Sequence, residues 1–353
     1  MQDFFETILP NLFSAFLTLP LLIQIIWVII LLEIIMIIAS LIYLTLIRKR
    51  YQQKNQEQKA LTEKYQEILI NYIYLTEDEA DEKINTKKLL KKAIKNNSDR
   101  QIIKGLILTL HNDLSGELAD FLEALYYDLD LVKYSLKKMN SSVWYIKIKG
   151  IREVTQMKVK DVYTETLKLI NHKNQLLRSE AQLTMVKLYQ FEGLKFLDTL
   201  EFPITEWQQI QLIEEIQSIR NQEVPDLTNW LHSKNDSVIC FALKLVRLFN
   251  QIQLKDDMIK LVLHPSEKVR RTSISVLGYF KILEAKTVLK QIFKKSSPET
   301  QLYIIQALSQ LSEKKDIPFF EKQINHPDFD INQIAYNTLK DLKPFLLTVN
   351  LNK

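Results

Sequence analysis

From Leu177 to Leu342 a single pattern of apolar positions returns every 30 or 31 residues. Its anchors are Leu177, Gln208, Val238, Val269, Thr300 and Ile331, at steps of 31, 30, 31, 31 and 31. Four residues on stand Ala181, Leu212, Ala242, Ser273, Ile304 and Ala335, most of them small. Eight on stand Met185, Ile216, Val246, Leu277, Leu308 and Leu339, and eleven on Leu188, Ile219, Phe249, Phe280, Leu311 and Leu342. Offsets of four, eight and eleven lie on one face of an α-helix, with the small residue where another helix comes close. A fixed register of this kind predicts an all-α solenoid of stacked units.

Each unit has room for an earlier helix. Seven residues before the anchors stand Ile170, Leu231, Val262, Phe293 and Ile324, with Glu201 breaking the column in the second unit. Polar turns follow, among them Asn171-His172-Lys173-Asn174, His264-Pro265-Ser266-Glu267 and Ser296-Ser297-Pro298-Glu299. Pro, Asn, Ser and Asp stop one helix and cap the next. Two helices of about a dozen residues, with two turns, would fill the period. Leu177-Arg178-Ser179-Glu180-Ala181 and Val269-Arg270-Arg271-Thr272-Ser273 resemble the V-R-x-x-A start of the second helix in HEAT repeats. The short period is similar to the HEAT-like repeats first named from phycobilin lyases. The resemblance runs from Thr86 to Leu342 and is strongest after Asn171. Tetratricopeptide and ankyrin signatures are absent. The resemblance implies a fold and not a chemistry, because HEAT arrays serve many functions.

Upstream the pattern changes. Residues 1–19 pair apolar side chains at Phe4-Phe5, Ile8-Leu9, Leu12-Phe13 and Phe16-Leu17, which reads as an amphipathic helix at a membrane interface or else as the apolar start of a longer spanning helix. Residues 20–47 hold one ionisable residue, Glu33, and are long enough to cross a bilayer. Arg48, Lys49 and Arg50 follow at once, which puts the C-terminal side in the cytoplasm by the positive-inside rule. Residues 48–85 read as a juxtamembrane helix whose stripe of Leu61, Tyr65, Ile68, Leu69 and Tyr72 packs on the first repeat, then an acidic hinge from Glu77 to Glu82. The solenoid is expected over residues 86–344, with 345–353 as a tail. Between 89 and 170 the helices look irregular. Val143 opens one with Ile148, Ile151 and Val154, and its distance of 34 to Leu177 suggests an insertion.

Bulk composition changes little. Five glycines and nine prolines in 353 residues suit an all-helical chain with short turns. A net charge of +5 is mild. The single Cys240 excludes an intramolecular disulfide framework, and its place in a predicted helix makes it a small apolar residue. His172, His232, His264 and His326 fall at the same turn of different units. Stacked units stand roughly 10 Å apart, too far for one metal ion, so these histidines read as helix-terminal caps. No nucleophile elbow, phosphate loop or dinucleotide fingerprint occurs, and no enzyme, cofactor or metal is expected. Arg178, Arg270 and Arg271 are candidate DNA contacts, but the equivalent positions at Val238-Ile239 and Ile331-Asn332 carry no cation, so no nucleic-acid partner is expected.

Two candidate contact regions remain. Glu33, Met36, Ser40 and Tyr43 are spaced to form one helical stripe within the span. Intramembrane carboxylates face partners or water-filled cavities, so the stripe is read as a docking face for another transmembrane helix, or else Glu33 reaches the outer headgroups. Lys87, Lys88, Lys91, Lys92 and Lys95 form a basic run, read as a contact for anionic lipid or a partner, or else as a solvated face. The whole reads as a single-pass inner-membrane protein whose cytoplasmic HEAT-type solenoid is a scaffold for another protein, one partner being a membrane protein. The resemblance to membrane-anchored bacterial HEAT proteins implies an accessory subunit of a membrane complex, a glycan-synthesising one for example. The alternative is a HEAT-scaffold enzyme of the lyase or DNA-glycosylase type. A deep pocket of converging titratable groups would favour the enzyme, a shallow continuous groove the scaffold.

Overall fold

The computed structural model describes residue 18 and residues 20–75, 79–219 and 223–343. The interfacial segment expected over 1–19 (Thr18 apart), the start of the acidic hinge at 76–78, and the tail at 345–353 lie outside the described residues. Among the described residues every regular element is helical, as an all-α chain requires. The chain divides into two compact units, residues 1–129 and 130–353.

In the first unit α1 (Leu21–Tyr74) is one unbroken helix of 54 residues, about 80 Å long at 1.5 Å per residue. No Pro or Gly interrupts it. Its described apolar residues up to Ile47 are left uncovered, whereas Tyr65, Leu69, Tyr72 and Ile73 are buried. They pack on α2 (Ala80–Ala93), α3 (Asn97–Asp113) and α4 (Glu117–Asp128), with Tyr72 tilted against Phe121 at 5.3 Å between centroids. The predicted stripe is therefore the part of α1 that joins it to the first unit. Asn96 caps α3, its Oδ1 accepting the Ser98 N–H at 2.9 Å.

The second unit begins with α5 (Leu131–Met139) and α6 (Trp144–Gln156), followed by α7 (Tyr163–Leu167) and α8 (Gln175–Gly193), which breaks at Gln190. Next come α9 (Glu206–Ser218), α10 (Thr228–Leu231), α11 (Asp236–Leu248), α12 (Lys255–Leu261) and α13 (Glu267–Tyr279). The series ends with α14 (Ala285–Phe293), α15 (Pro298–Gln310), α16 (Ile317–Glu321) and α17 (Phe329–Leu342). The second helices of the repeats are α6, α8, α9, α11, α13, α15 and α17. They start at residues 144, 175, 206, 236, 267, 298 and 329, a period of 30 or 31 throughout. The six anchors from Leu177 to Ile331 are buried, and so are all the residues four and eight positions on. At the eleventh offset the helix is ending: Ile219, Phe249, Phe280 and Leu311 are C-caps.

Two expectations are corrected. The first helices are not a dozen residues long; they run from four residues in α10 to nine in α5 and α14, and in one repeat a 3₁₀ turn at Leu194–Thr199 replaces the helix. Helix exits consume the remainder. After α6, α11 and α13 a left-handed residue (Lys158, Asn250, Lys281) reverses the chain. The next amide then bonds five residues back, Val159 to Val154, Gln251 to Val246 and Ile282 to Leu277, at 2.9, 3.0 and 3.1 Å, the Schellman closure. The second correction concerns residues 143–177, which hold no insertion. The true register is Ile146, Gly150, Val154 and Met157, 31 residues before Leu177, Ala181, Met185 and Leu188. Gly150 is the small residue that Lys147 failed to supply.

Candidate functional site

The second helices stack side by side, and between their anchor columns they leave an outer face. Where α9, α11, α13 and α15 meet, that face sinks into an open groove of about 830 Å³. Its walls carry Ile210 and Ile213 from α9, Lys244, Arg247 and Leu248 from α11, and Arg271, Val276 and Tyr279 from α13. Glu206, Lys268, Glu299 and Tyr303 stand along its sides.

Ion pairs cross from helix to helix here. Lys268 meets Glu206 at 2.9 Å, and Arg271 meets Glu299. Bonding to Lys268 holds the Glu206 carboxyl below its ordinary value, so it stays ionised. Lys244 donates to the Gln209 amide oxygen at 2.7 Å. Burial is the largest influence on its ammonium and sets it below the usual lysine value, with Glu206 pulling the other way. Arg247 lies over the Tyr279 ring, 4.2 Å from the centroid. Cys240 takes a hydrogen bond from the Thr272 hydroxyl at 3.7 Å, and burial pushes its thiol up, leaving it protonated. Further along the stack Arg152–Glu180 at 2.8 Å, Lys187–Glu215 at 3.0 Å and Thr338–Ser309 at 2.8 Å join other neighbours. The groove is thus a polar, cation-rich strip with apolar and tyrosine patches.

The arginines of the repeat signature do other work. Arg178 Nη1 donates to the carbonyls of His172 and Lys173 at 2.8 and 3.1 Å, and Arg270 Nη1 to those of His264 and Pro265 at 2.8 Å each. Gln209, Gln301 and Asn332 occupy the same position and reach back to Ile204, Phe293 and Ile324. This position ties the turn to the helix that follows it. Only Arg271 of the three candidate DNA cations faces the groove, and it is paired. The histidines serve the same turns. Nδ1 of His172, His264 and His326 accepts the N–H two residues on at 3.0, 3.2 and 3.1 Å. They therefore hold the start of the next helix more than the end of the last. His232 departs, its Nδ1 lying 2.9 Å from the Thr228 carbonyl. Among the described residues no group of three or more His, Cys, Asp or Glu side chains gathers as a metal site would require.

Glu33, Met36, Ser40 and Tyr43 are all exposed on α1, and the helix continues without a break through Arg48, Lys49 and Arg50. The basic run lies on α2 and the turn after it, with Lys88, Lys91, Lys92 and Lys95 exposed and Lys87 paired with Asp128. Lys87 acts on Tyr72 while Asp99, past the end of α2, hydrogen-bonds Tyr65, so α2 runs back along α1. Tyr65 is 17 residues beyond Arg48, about 25 Å along the helix. The nearest lysines of the run thus stand several Debye lengths of about 8 Å from that boundary along the α1 axis.

The HEAT-repeat family matches residues 255–340, from the start of α12 to within the last turn of α17. The repeats of this segment are HEAT repeats. The chain's period, its V-R-x-x-A turns and its stacked second helices are those of the family expected from sequence. No curated protein matches the chain. Among solved structures, the X-ray structure of Escherichia coli YibA is 18% identical, covers 76% of this chain and 94% of its own, and superposes with a TM-score of 0.42. An engineered protein is 12% identical, with coverage of 81% and 96% and a TM-score of 0.35.

Reasoning from sequence alone did not single out Lys244, Arg247, Tyr279 or Tyr303. Their signal is positional: they fall beside the anchor face, where a cation or aromatic ring looks like ordinary solvated surface.

Proposed function

We propose that this HEAT-repeat protein is a single-pass membrane scaffold whose helical units lie in the cytoplasm and hold a partner protein at the membrane. The observation that carries this reading is the continuity of α1. One half of that helix is apolar and uncovered, and the other half buries Tyr65, Leu69 and Tyr72 in the first unit. A bilayer is the environment that covers such a surface at about 30 Å of thickness. Arg48, Lys49 and Arg50 favour the cytoplasmic side for everything after them.

The reading is non-catalytic. Glu206 is held ionised and Cys240 is held as a buried thiol, so neither is set up as a proton donor or a nucleophile. The exposed stripe Glu33-Met36-Ser40-Tyr43 is assigned to a partner transmembrane helix, in an assembly of which a glycan-synthesising complex is one candidate. The α1 geometry favours a protein over lipid headgroups as the contact of the Lys88–Lys95 run.

Carbonate-washed membranes test the anchor, and the protein should remain in the pellet. A cysteine placed at Asp3 should react with a membrane-impermeant reagent applied outside, and a reporter after Lys353 should score as cytoplasmic. Release by carbonate, or the reversed labelling, ends the reading. Glu33→Leu should preserve insertion while reducing recovery of the membrane partner; undiminished recovery removes the stripe from the assignment.

A further inference from the structure

We infer that the groove across α9, α11, α13 and α15 binds an extended segment of a partner protein that alternates acidic and apolar side chains. This rests on the scaffold reading above and names what the scaffold holds. The charges come first. Lys268 and Arg271 are matched by Glu206 and Glu299, but Lys244 bonds a neutral amide and Arg247 stacks on a ring, and neither contact cancels a charge. These two cations lie three residues apart on α11 and face the same groove. Lys244 is half-buried, so its ammonium loses little further water when a carboxylate arrives.

The apolar lining comes second. Ile210 is 47% exposed and Tyr279 52%, large side chains left open beside the cations. A ligand that covers them must bring apolar groups between its charges. Length comes third. Four stacked helices at about 9 Å spacing give a groove of roughly 27 Å, which an extended chain crosses in about eight or nine residues. Nucleic acid fits less well: an unbroken row of phosphates would meet Glu206 and Glu299, with two unmatched cations to neutralise it.

The test is selection of a displayed random nonapeptide library on the full chain in lipid nanodiscs. Recovered sequences should carry two or more Asp or Glu residues interleaved with apolar ones. Synthetic examples should bind the Lys244→Glu/Arg247→Glu double variant at least fivefold more weakly than the parent, with unchanged helicity. Lys244→Gln/Arg247→Gln should also weaken binding, which separates loss of charge from misfolding. Sequences without acidic enrichment, or a loss below fivefold in the double variant, overturn the inference. So does oligothymidylate or a phosphatidylglycerol vesicle binding through Lys244 and Arg247 where the peptides do not. Carbonate extraction reports on the anchor separately, so a failed groove and a failed scaffold give different results.

Discussion

Gly150 on α6 lies directly against the backbone of Met139 at the end of α5: a Cβ atom at position 150 would stand 2.2 Å from the Met139 nitrogen. That distance is far inside van der Waals contact, and the obstacle is backbone, which cannot swing aside. The slot is the small position of its repeat, where two helices come closest. Gly150→Ala should therefore lower stability by about 3 kcal/mol, the upper range of overpacking, although alanine is the better helix former. Gly105→Ala in α3 meets nothing within 4 Å and should instead stabilise by roughly 0.5–1 kcal/mol. Thermal melts followed by circular dichroism compare the two; a neutral Gly150→Ala would contradict this close approach of α5 and α6.

Asp316 is 2% exposed and takes charge-assisted bonds from Lys290 at 2.5 Å and from Lys286, plus the Glu313 N–H at 2.9 Å. Burial alone would push its carboxyl up, but these donors hold it below the ordinary 3.8. For Lys286 burial opposes the charge, and its carboxylate partners raise it above 10.5. An acid whose folded pKa is depressed stabilises above its unfolded value and loses that contribution as pH falls through the folded one. A raised lysine does so below its unfolded value and loses it at still higher pH. The cluster therefore stabilises fully between about pH 4 and 10. Asp316→Ala leaves the buried Lys286 with Glu313 as its remaining carboxylate at 2.8 Å and should cost about 3 kcal/mol at pH 7, the low end for breaking a buried pair. In urea titrations that deficit should shrink below pH 4; a deficit that stays constant with pH would exclude the ionic account.

Lys281 closes α13 at φ 54°, in the left-handed region that disfavours side chains. Lys281→Gly should raise stability by up to about 1 kcal/mol, less the extra freedom glycine gives the unfolded chain. Asn250 has the same role at φ 53°, and asparagine tolerates it better, so Asn250→Gly should gain less. Urea midpoints of the two variants decide the order.

Arg270 binds two turn carbonyls through one nitrogen. Arg270→Ala should cost about 1.5–3 kcal/mol, and Arg270→Lys should recover only part of it, because an ammonium lacks the planar fork. Peptide binding in the groove should be unaltered in both, since Arg270 points into its own turn. A binding loss without a stability loss would place this arginine in the groove instead.

The period of 31, the buried anchors and the apolar span of α1 were all legible in the sequence, because each depends on positions along one helix. Helical spacing is local geometry, and any chain with that pattern must bury that face. The sequence also showed the acid-poor span, the basic boundary at Arg48 and the small slots at Ala181, Ala242 and Ala335. Tertiary structure alone decided the rest. That Gly150 and not Lys147 fills the next slot depends on where α5 ends against α6, and a register shift of three residues is invisible to periodicity at one degenerate repeat. That Arg178 and Arg270 serve turns while Lys244 and Arg247 line a groove depends on which neighbour each side chain meets. A cation one position past the anchor and one six past it look equally solvated along the chain; the folded turn gives the first two carbonyls, and the packing of adjacent repeats leaves the second facing an open groove.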